Sequence, residues 1–272
     1  MAGRLANLAR GSWAPALLLL AWEACARAGW FSPIVLPAPS AVALRWWQAL
    51  APAQPYADAG LAWPAWLVSG EMVQDAAASL FRVLAGFVVG AGLALPIGLL
   101  MGARRPLHDA LNPLLQVLRP IPPIAYIPLA ILWFGLGNPP AVFLIALGAF
   151  FPVLLNTIAG VRQVDGIYLR AARNLGAGPA TIFLRIILPA ATPFILTGMR
   201  IGIGTAFLVV IVSEMIAVPD GLGFRILEAR EFMWSDKIIA GMLMIGVLGL
   251  GIDSVMVAVS NRLLRWHRGL EG

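Results

Sequence analysis

The feature that most constrains this sequence is a series of long apolar runs. Six stretches of about 20 residues carry few charges, and about 20 residues is the length that a helix needs to cross the hydrocarbon core of a bilayer. The six runs are residues 13–28, 80–102, 121–136, 141–161, 190–217 and 238–259. None alternates polar and apolar residues with a period of two, so the runs predict spanning helices and not a transmembrane barrel.

The composition supports the same class. Of the 272 residues, 60% are hydrophobic and only 12% are charged, whereas a soluble domain carries about 25% charged residues. This excludes a soluble enzyme and a disordered chain. Because Cys25 is the only cysteine, the chain cannot form an internal disulfide scaffold. The sequence therefore predicts an all-α integral membrane protein.

The first and third runs are less regular than the others. The first contains Glu23 and Arg27, and the third contains Pro122, Pro123 and Pro128. Proline is tolerated in a spanning helix where neighbouring helices or water satisfy the freed carbonyl groups, so we expect the third run to bend inside the bundle. The start of the chain also resembles a secretory signal with an Ala-Cys-Ala site at residues 24–26. We expect this first segment to be retained as a helix, and its cleavage as a signal peptide is the alternative.

The basic residues predict the orientation. If the amino terminus is cytoplasmic, twelve of the 19 Lys and Arg residues fall in inner segments and four in outer segments, which follows the positive-inside rule and places both termini in the cytoplasm. The arginines are scattered between apolar runs and form no basic face, so no nucleic-acid partner is expected. The predicted organisation is a tail with the first helix (1–32), a periplasmic loop with an interfacial segment (33–75), a five-helix core (76–262) and a cytoplasmic tail (263–272).

The sequence offers no catalytic or nucleotide-binding motif. A phosphate-binding loop needs a lysine after a glycine-rich turn, and the only lysine, Lys237, follows Trp-Ser-Asp. The only histidines, His108 and His267, are too far apart for a helical zinc motif. We expect no enzyme activity, no metal and no cofactor in this chain.

The inner loop at 162–189 is the most informative segment. Asp165 is a good helix N-cap, and Gly176 stands where a helix ends in left-handed geometry. A second helix is predicted from Pro179 into the fifth run. The first helix is expected to expose the small side chains of Ala171 and Ala172 beside the cations Arg170 and Arg173. Such a surface is suited to insertion into a groove of another protein.

The pattern Ala171-Ala172-x-x-x-Gly176-x9-Ile186-x-Leu188-Pro189 resembles the Glu-Ala-Ala loop of ABC importer permeases. It departs from the family at Arg170, where most members have the acidic residue. Further stretches resemble the nitrate, sulfonate and taurine branch of that family, and the resemblance covers about residues 33–265. Those stretches are residues 36–42, 79–87, 119–129, 133–137 and 221–223.

The resemblance implies a six-transmembrane-helix type I ABC importer permease fold in the bacterial inner membrane. The chain would form a homodimer around a path for small anions such as sulfonates, taurine or nitrate. A separate cytoplasmic ABC ATPase would bind ATP, and a periplasmic or lipid-anchored binding protein would deliver the substrate. The residues implied in coupling to the ATPase are Asp165, Arg170, Ala171, Ala172, Arg173, Gly176, Leu188 and Pro189.

Four residues are candidates for the translocation path. Arg200 and Glu214 lie in the fifth run, where ionisable groups are costly and usually face protein or water. Arg200 is expected either to attract an anionic substrate or to pair with Glu214. Pro122 and Pro123 are further lining candidates. The alternative function is an ion-coupled secondary transporter or channel. Such a protein would need neither a partner ATPase nor a loop that binds it.

Overall fold

The described part of this computed structural model comprises residues 2–52, 54–60 and 62–264, with the side chains of residues 2–12 and 57 left undescribed. The predicted tail lies outside it from residue 265 onward. Every regular element in these ranges is helical. A 3₁₀ turn at Pro123–Tyr126 precedes α7, and a π-helical turn at Phe183–Ile187 precedes α11. The α-helices are α1 (Ala2–Arg27), α2 (Pro39–Leu50), α3 (Tyr56–Ala59), α4 (Trp63–Leu67), α5 (Glu71–Ala103), α6 (Arg105–Leu118), α7 (Ile127–Phe134), α8 (Asn138–Arg162), α9 (Gly166–Asn174), α10 (Pro179–Ile182), α11 (Leu188–Ala217), α12 (Leu222–Glu231) and α13 (Ser235–Leu263).

Four helical stretches are long and apolar enough to cross a membrane. They are α5, α8, Pro179–Ala217 and α13, and a fifth arises if α6 and the segment Pro123–Phe134, bent by 82°, count as one broken span. The bend lies at residues 119–122, at the start of the third run, and the rest of the run from Pro123 to Phe134 is helical. Among the described residues, α1 is not one of the helices that reach this standard. The count supported by length and composition is therefore four or five, against the six predicted.

The chain divides into two compact units. The first comprises Met1–Ala77 and Gly221–Gly246, and the second comprises Ala78–Asp220 and Val247–Gly272. In the first unit, the Glu23 carboxylate accepts hydrogen bonds from the Ser40 backbone N–H at 3.0 Å and the Ser40 hydroxyl at 2.8 Å. A carboxylate is favourable at the start of α2, where helix N–H groups lack partners. Glu23 therefore has a structural role in joining α1 to α2.

The second unit is built on α5, α8 and α11, which approach closely through glycines. A Cβ atom added at Gly90 of α5 would lie 2.3 Å from the Ala146 carbonyl oxygen of α8, and one at Gly86 would lie 2.5 Å from Ile145 Cγ2. Small residues of this kind let helix backbones pack in a membrane. By contrast, Gly92 has no atom within 4 Å of such a position. Gly86 and Gly90 therefore have a packing role, whereas Gly92 makes no such contact.

Substitution of Gly90 by alanine is expected to destabilise the protein by about 1–3 kcal/mol, because the new methyl group would overlap the α8 backbone and force the helices apart. Gly92→Ala in the same helix is the matched control, and it should be neutral or slightly stabilising because alanine favours helix. Thermal unfolding in detergent would compare the two variants. Equal melting temperatures for both would show that α5 and α8 do not pack as described.

Candidate functional site

The helix α9 has the boundaries that local sequence rules predict. The Asp165 carboxylate accepts a hydrogen bond from the Ile167 N–H at 2.8 Å, which satisfies one free donor at the start of the helix. At the other end Gly176 has a φ of +78°, and the Ala177 N–H donates to the Ala172 carbonyl oxygen at 3.0 Å. This is the left-handed C-cap expected of glycine. Both caps are confirmed.

The exposed face of α9 differs from the one predicted. Ala171 is exposed, but Ala172 is buried, with only 8% of its surface accessible. Neighbouring residues in a helix point about 100° apart, so one of two adjacent alanines can face the protein while the other faces outward. The exposed apolar side chains are instead Ile167, Tyr168 and Leu175, and Leu175 is 87% exposed. The prediction that Ala172 is exposed is wrong.

The remaining candidates of the 162–189 loop lie on two helices. Arg170 and Arg173 are exposed on α9, while Leu188 and Pro189 are half-buried at the start of α11. Arg173 also lines a cavity of about 570 Å³ with Arg104, which follows the end of α5. The loop thus presents cations and apolar side chains on one short, capped helix.

A buried network of charges joins three helices of the second unit. Arg82 on α5 is 2% exposed and Glu214 on α11 is fully buried. The Arg82 guanidinium donates to the Glu214 carboxylate at 2.7 Å, to the Asn138 side chain at 2.6 Å and to the Asp220 carboxylate. The Ser79 hydroxyl donates to Glu214 at 2.9 Å. Buried ions are tolerated when they are paired and hydrogen-bonded in this way.

Arg200 forms its ion pair with a residue other than Glu214, the partner that the sequence suggested. Its Nε and Nη2 atoms each donate to the Asp253 carboxylate at 2.7 Å, a bidentate ion pair between α11 and α13. Glu214 pairs with Arg82 instead. The positive charge of Arg200 is therefore balanced within the protein, and the expected alternative of an Arg200–Glu214 pair is not formed.

Pro122 and Pro123 line a cavity of about 400 Å³ in the second unit. Its walls come from the 119–123 segment, α8 and α11, and neither Arg200 nor Glu214 is among the lining residues. The four path candidates therefore occupy three separate places. They are the cavity, the buried network and the Arg200–Asp253 pair.

Sequence reasoning missed Arg82 and Arg119. Arg82 stands near the start of an otherwise apolar run, and a lone intramembrane charge is itself a signal of a partner or a pathway. Its carboxylate partner Glu214 lies 132 positions away, so no local pattern indicates the pair. In the sequence, Arg119 was noted only as part of the proline-rich stretch 119–129. The structure places it in the lining of the cavity.

The helical fold and its long apolar helices are those of a multi-pass membrane protein. Residues 94–265 match the family described as binding-protein-dependent transport system inner membrane component, and the chain belongs to that family. It is thus a multi-pass permease subunit of an ABC transporter in the inner membrane, and it is not an enzyme. The class predicted from the sequence is confirmed.

Curated relatives agree with this assignment, and a solved structure shares the fold. The chain is 44% identical to a probable ABC transporter permease protein of Brucella abortus (strain 2308), over 74% of this chain and 80% of the relative. It is 36% identical to the taurine transport system permease protein of Escherichia coli (strain K12), over 93% and 87%. It is 38% identical to the nitrate import permease protein of Synechocystis (strain PCC 6803), over 65% and 64%. The inward-facing methionine ABC transporter MetNI shares the fold, with a TM-score of 0.62 and 18% identity over 75% of this chain and 99% of that chain.

Proposed function

We propose that this chain forms the translocation pathway of an ATP-driven importer for small anions such as taurine, other sulfonates or nitrate. The observation that carries the proposal is the capped helix α9, which displays Ile167, Tyr168 and Leu175 to solvent beside exposed cations. Large exposed apolar side chains on a short helix favour a protein partner. The substrate class is supported by the similarity to the taurine and nitrate permeases.

The proposed assembly contains two copies of this chain, two subunits of a separate cytoplasmic ABC ATPase and a binding protein that is periplasmic or lipid-anchored. In it both termini of the chain are cytoplasmic, α9 occupies a groove of the ATPase, and ATP is bound only by that partner. Arg170 and Arg173 would meet an acidic rim of the groove, since exposed cations steer and orient a partner of opposite charge. Closure of the ATPase dimer would then move both copies about their two-fold axis.

The loop can transmit such motion because a single stretch of helix leads away from it. Residues Pro179–Ala217 form 39 consecutive helical residues, roughly 58 Å at 1.5 Å per residue. One end lies beside α9, and the other carries Glu214 of the buried network. Of the path candidates, Pro122 and Pro123 are proposed to line the passage through their cavity, while Arg200 and Glu214 are proposed to brace its walls through ion pairs.

Reconstitution tests this proposal. Vesicles that contain the chain, its ATPase and its binding protein should take up labelled taurine or nitrate only when ATP is supplied. Vesicles that contain the chain alone should take up neither, with or without an ion gradient. Uptake by the chain alone under an ion gradient would favour the secondary transporter or channel and overturn the proposal.

A further inference from the structure

The cavity at Pro122 and Pro123 has the size and lining of a small-molecule site. Its volume of about 400 Å³ falls in the range of pockets that bind small ligands, which combine apolar walls with a few placed polar groups. Here the polar groups are Arg119, Asn156 and Thr205. The remaining lining residues are apolar: Ile121, Pro122, Pro123, Leu147, Gly148, Phe151, Pro152, Leu155 and Ile201.

The charge of the lining is positive. Arg119 is its single cation, and no carboxylate is among the lining residues. Arg82 and Arg200, the two arginines within the predicted core spans, are held in ion pairs, with Glu214 and Asp253 respectively. The Arg119 side chain is exposed, so an incoming anion can reach its charge, and the lining residues of the cavity supply no carboxylate to neutralise it. Arg119 is therefore the group best placed to attract an anion into this part of the second unit.

The other two polar side chains of the lining are oriented by hydrogen bonds to the backbone. The Thr205 hydroxyl donates to the Ile201 carbonyl oxygen at 3.0 Å, and the Asn156 amide nitrogen donates to the Pro152 carbonyl oxygen at 2.8 Å. The amide has two N–H groups, so one remains available to a ligand. A Cβ atom at Gly148 would lie 3.6 Å from both Pro123 and Thr205, which places the Thr205 side chain close to the wall that follows Arg119.

We propose that this cavity is an anion-binding station, in which Arg119 binds a small sulfonate or nitrate and Asn156 supplies a second donor. The inference rests on the proposed import of small anions and names the residues that recognise the charge. A guanidinium group presents parallel N–H donors that match the oxygens of an oxyanion. The apolar walls supply no competing partner for the anion, and they leave it free to pass on once the path opens.

A thiol-labelling experiment tests the charge of the cavity directly. In a Cys25→Ser background, Thr205→Cys would place a single reactive thiol in the cavity. The purified chain would be treated with 2-sulfonatoethyl methanethiosulfonate, an anion, and with its trimethylammonium counterpart, a cation of similar size. We expect Arg119→Gln to lower the ratio of anionic to cationic labelling rates by at least about threefold, while Arg119→Lys retains most of it.

Arg162→Gln is the matched control, because Arg162 contacts His108 at 3.0 Å outside the cavity and its removal changes the net charge equally. The proposal is overturned if Arg119→Gln leaves the ratio unchanged, if Arg162→Gln lowers it as much, or if neither reagent labels Cys at position 205. The experiment needs neither ATPase nor binding protein. Its outcome is therefore independent of the uptake assay that tests the proposed function.

Discussion

Replacement of Leu175 by glutamate is expected to abolish ATP-driven import while the protein remains folded and inserted. Leu175 is 87% exposed at the end of α9, so its side chain contributes little to the stability of the isolated chain. Full burial of a leucine against a partner contributes about 1.5–3 kcal/mol, and a carboxylate in the same place would have to be desolvated. We expect the affinity for the ATPase to fall by about tenfold to a hundredfold or more.

Co-purification of the ATPase with the permease measures this effect, and ATP hydrolysis stimulated by the binding protein measures its consequence. Leu175→Met is the control, because methionine preserves an apolar side chain of similar volume and should retain coupling. Ala172→Glu should behave differently from Leu175→Glu. It places a charge at a buried position, so a lower yield of folded protein is expected. Normal ATPase recovery with Leu175→Glu would show that α9 is not the docking helix.

Loss of the Arg82 side chain is expected to have the largest effect on stability. Arg82→Ala removes the partner of Glu214, which is fully buried, and an uncompensated buried charge costs about 3–5 kcal/mol. Arg82→Lys should recover only part of this loss, because the three donors of an ammonium group sit on one nitrogen, whereas the guanidinium reaches Asn138, Glu214 and Asp220 from three separate nitrogens. Thermal unfolding in detergent would measure the difference.

A double-mutant cycle separates the ion pair from general damage. Arg82→Ala combined with Glu214→Ala should destabilise the protein by clearly less than the two single changes added together, because the second change removes the orphaned charge. Arg105→Ala is the control, since Arg105 and its partner Asp109 are 88% and 63% exposed and exposed pairs contribute little. Strict additivity in the cycle would contradict the buried network.

The sequence was most informative where structure depends on neighbouring residues. Asp165 caps α9 and Gly176 ends it as predicted, because capping is decided within one turn of helix. The bend near Pro122 is likewise a local property of proline. The assignment to the family also came from short motifs at fixed spacing, and the match over residues 94–265 confirms it.

Predictions that required knowledge of distant neighbours were less successful. Ala171 and Ala172 look equivalent in the sequence, but only the packing of α9 against the rest of its unit decides which is buried. Gly90 and Gly92 are both glycines of one apolar helix, and only Gly90 meets α8. In each case the residue type permits a contact, and the neighbouring helix decides whether it is made.

The sequence by itself determined that this protein spans a membrane, belongs to the permease class and carries a capped helix in its 162–189 loop. These properties follow from apolar run length and from backbone rules that act over a few residues. Only the tertiary structure decided which charges neutralise one another, and thereby left Arg119 as the single cation of a mainly apolar cavity. Electrostatic pairing acts through space over a few ångströms, and helices far apart in the chain supply the partners.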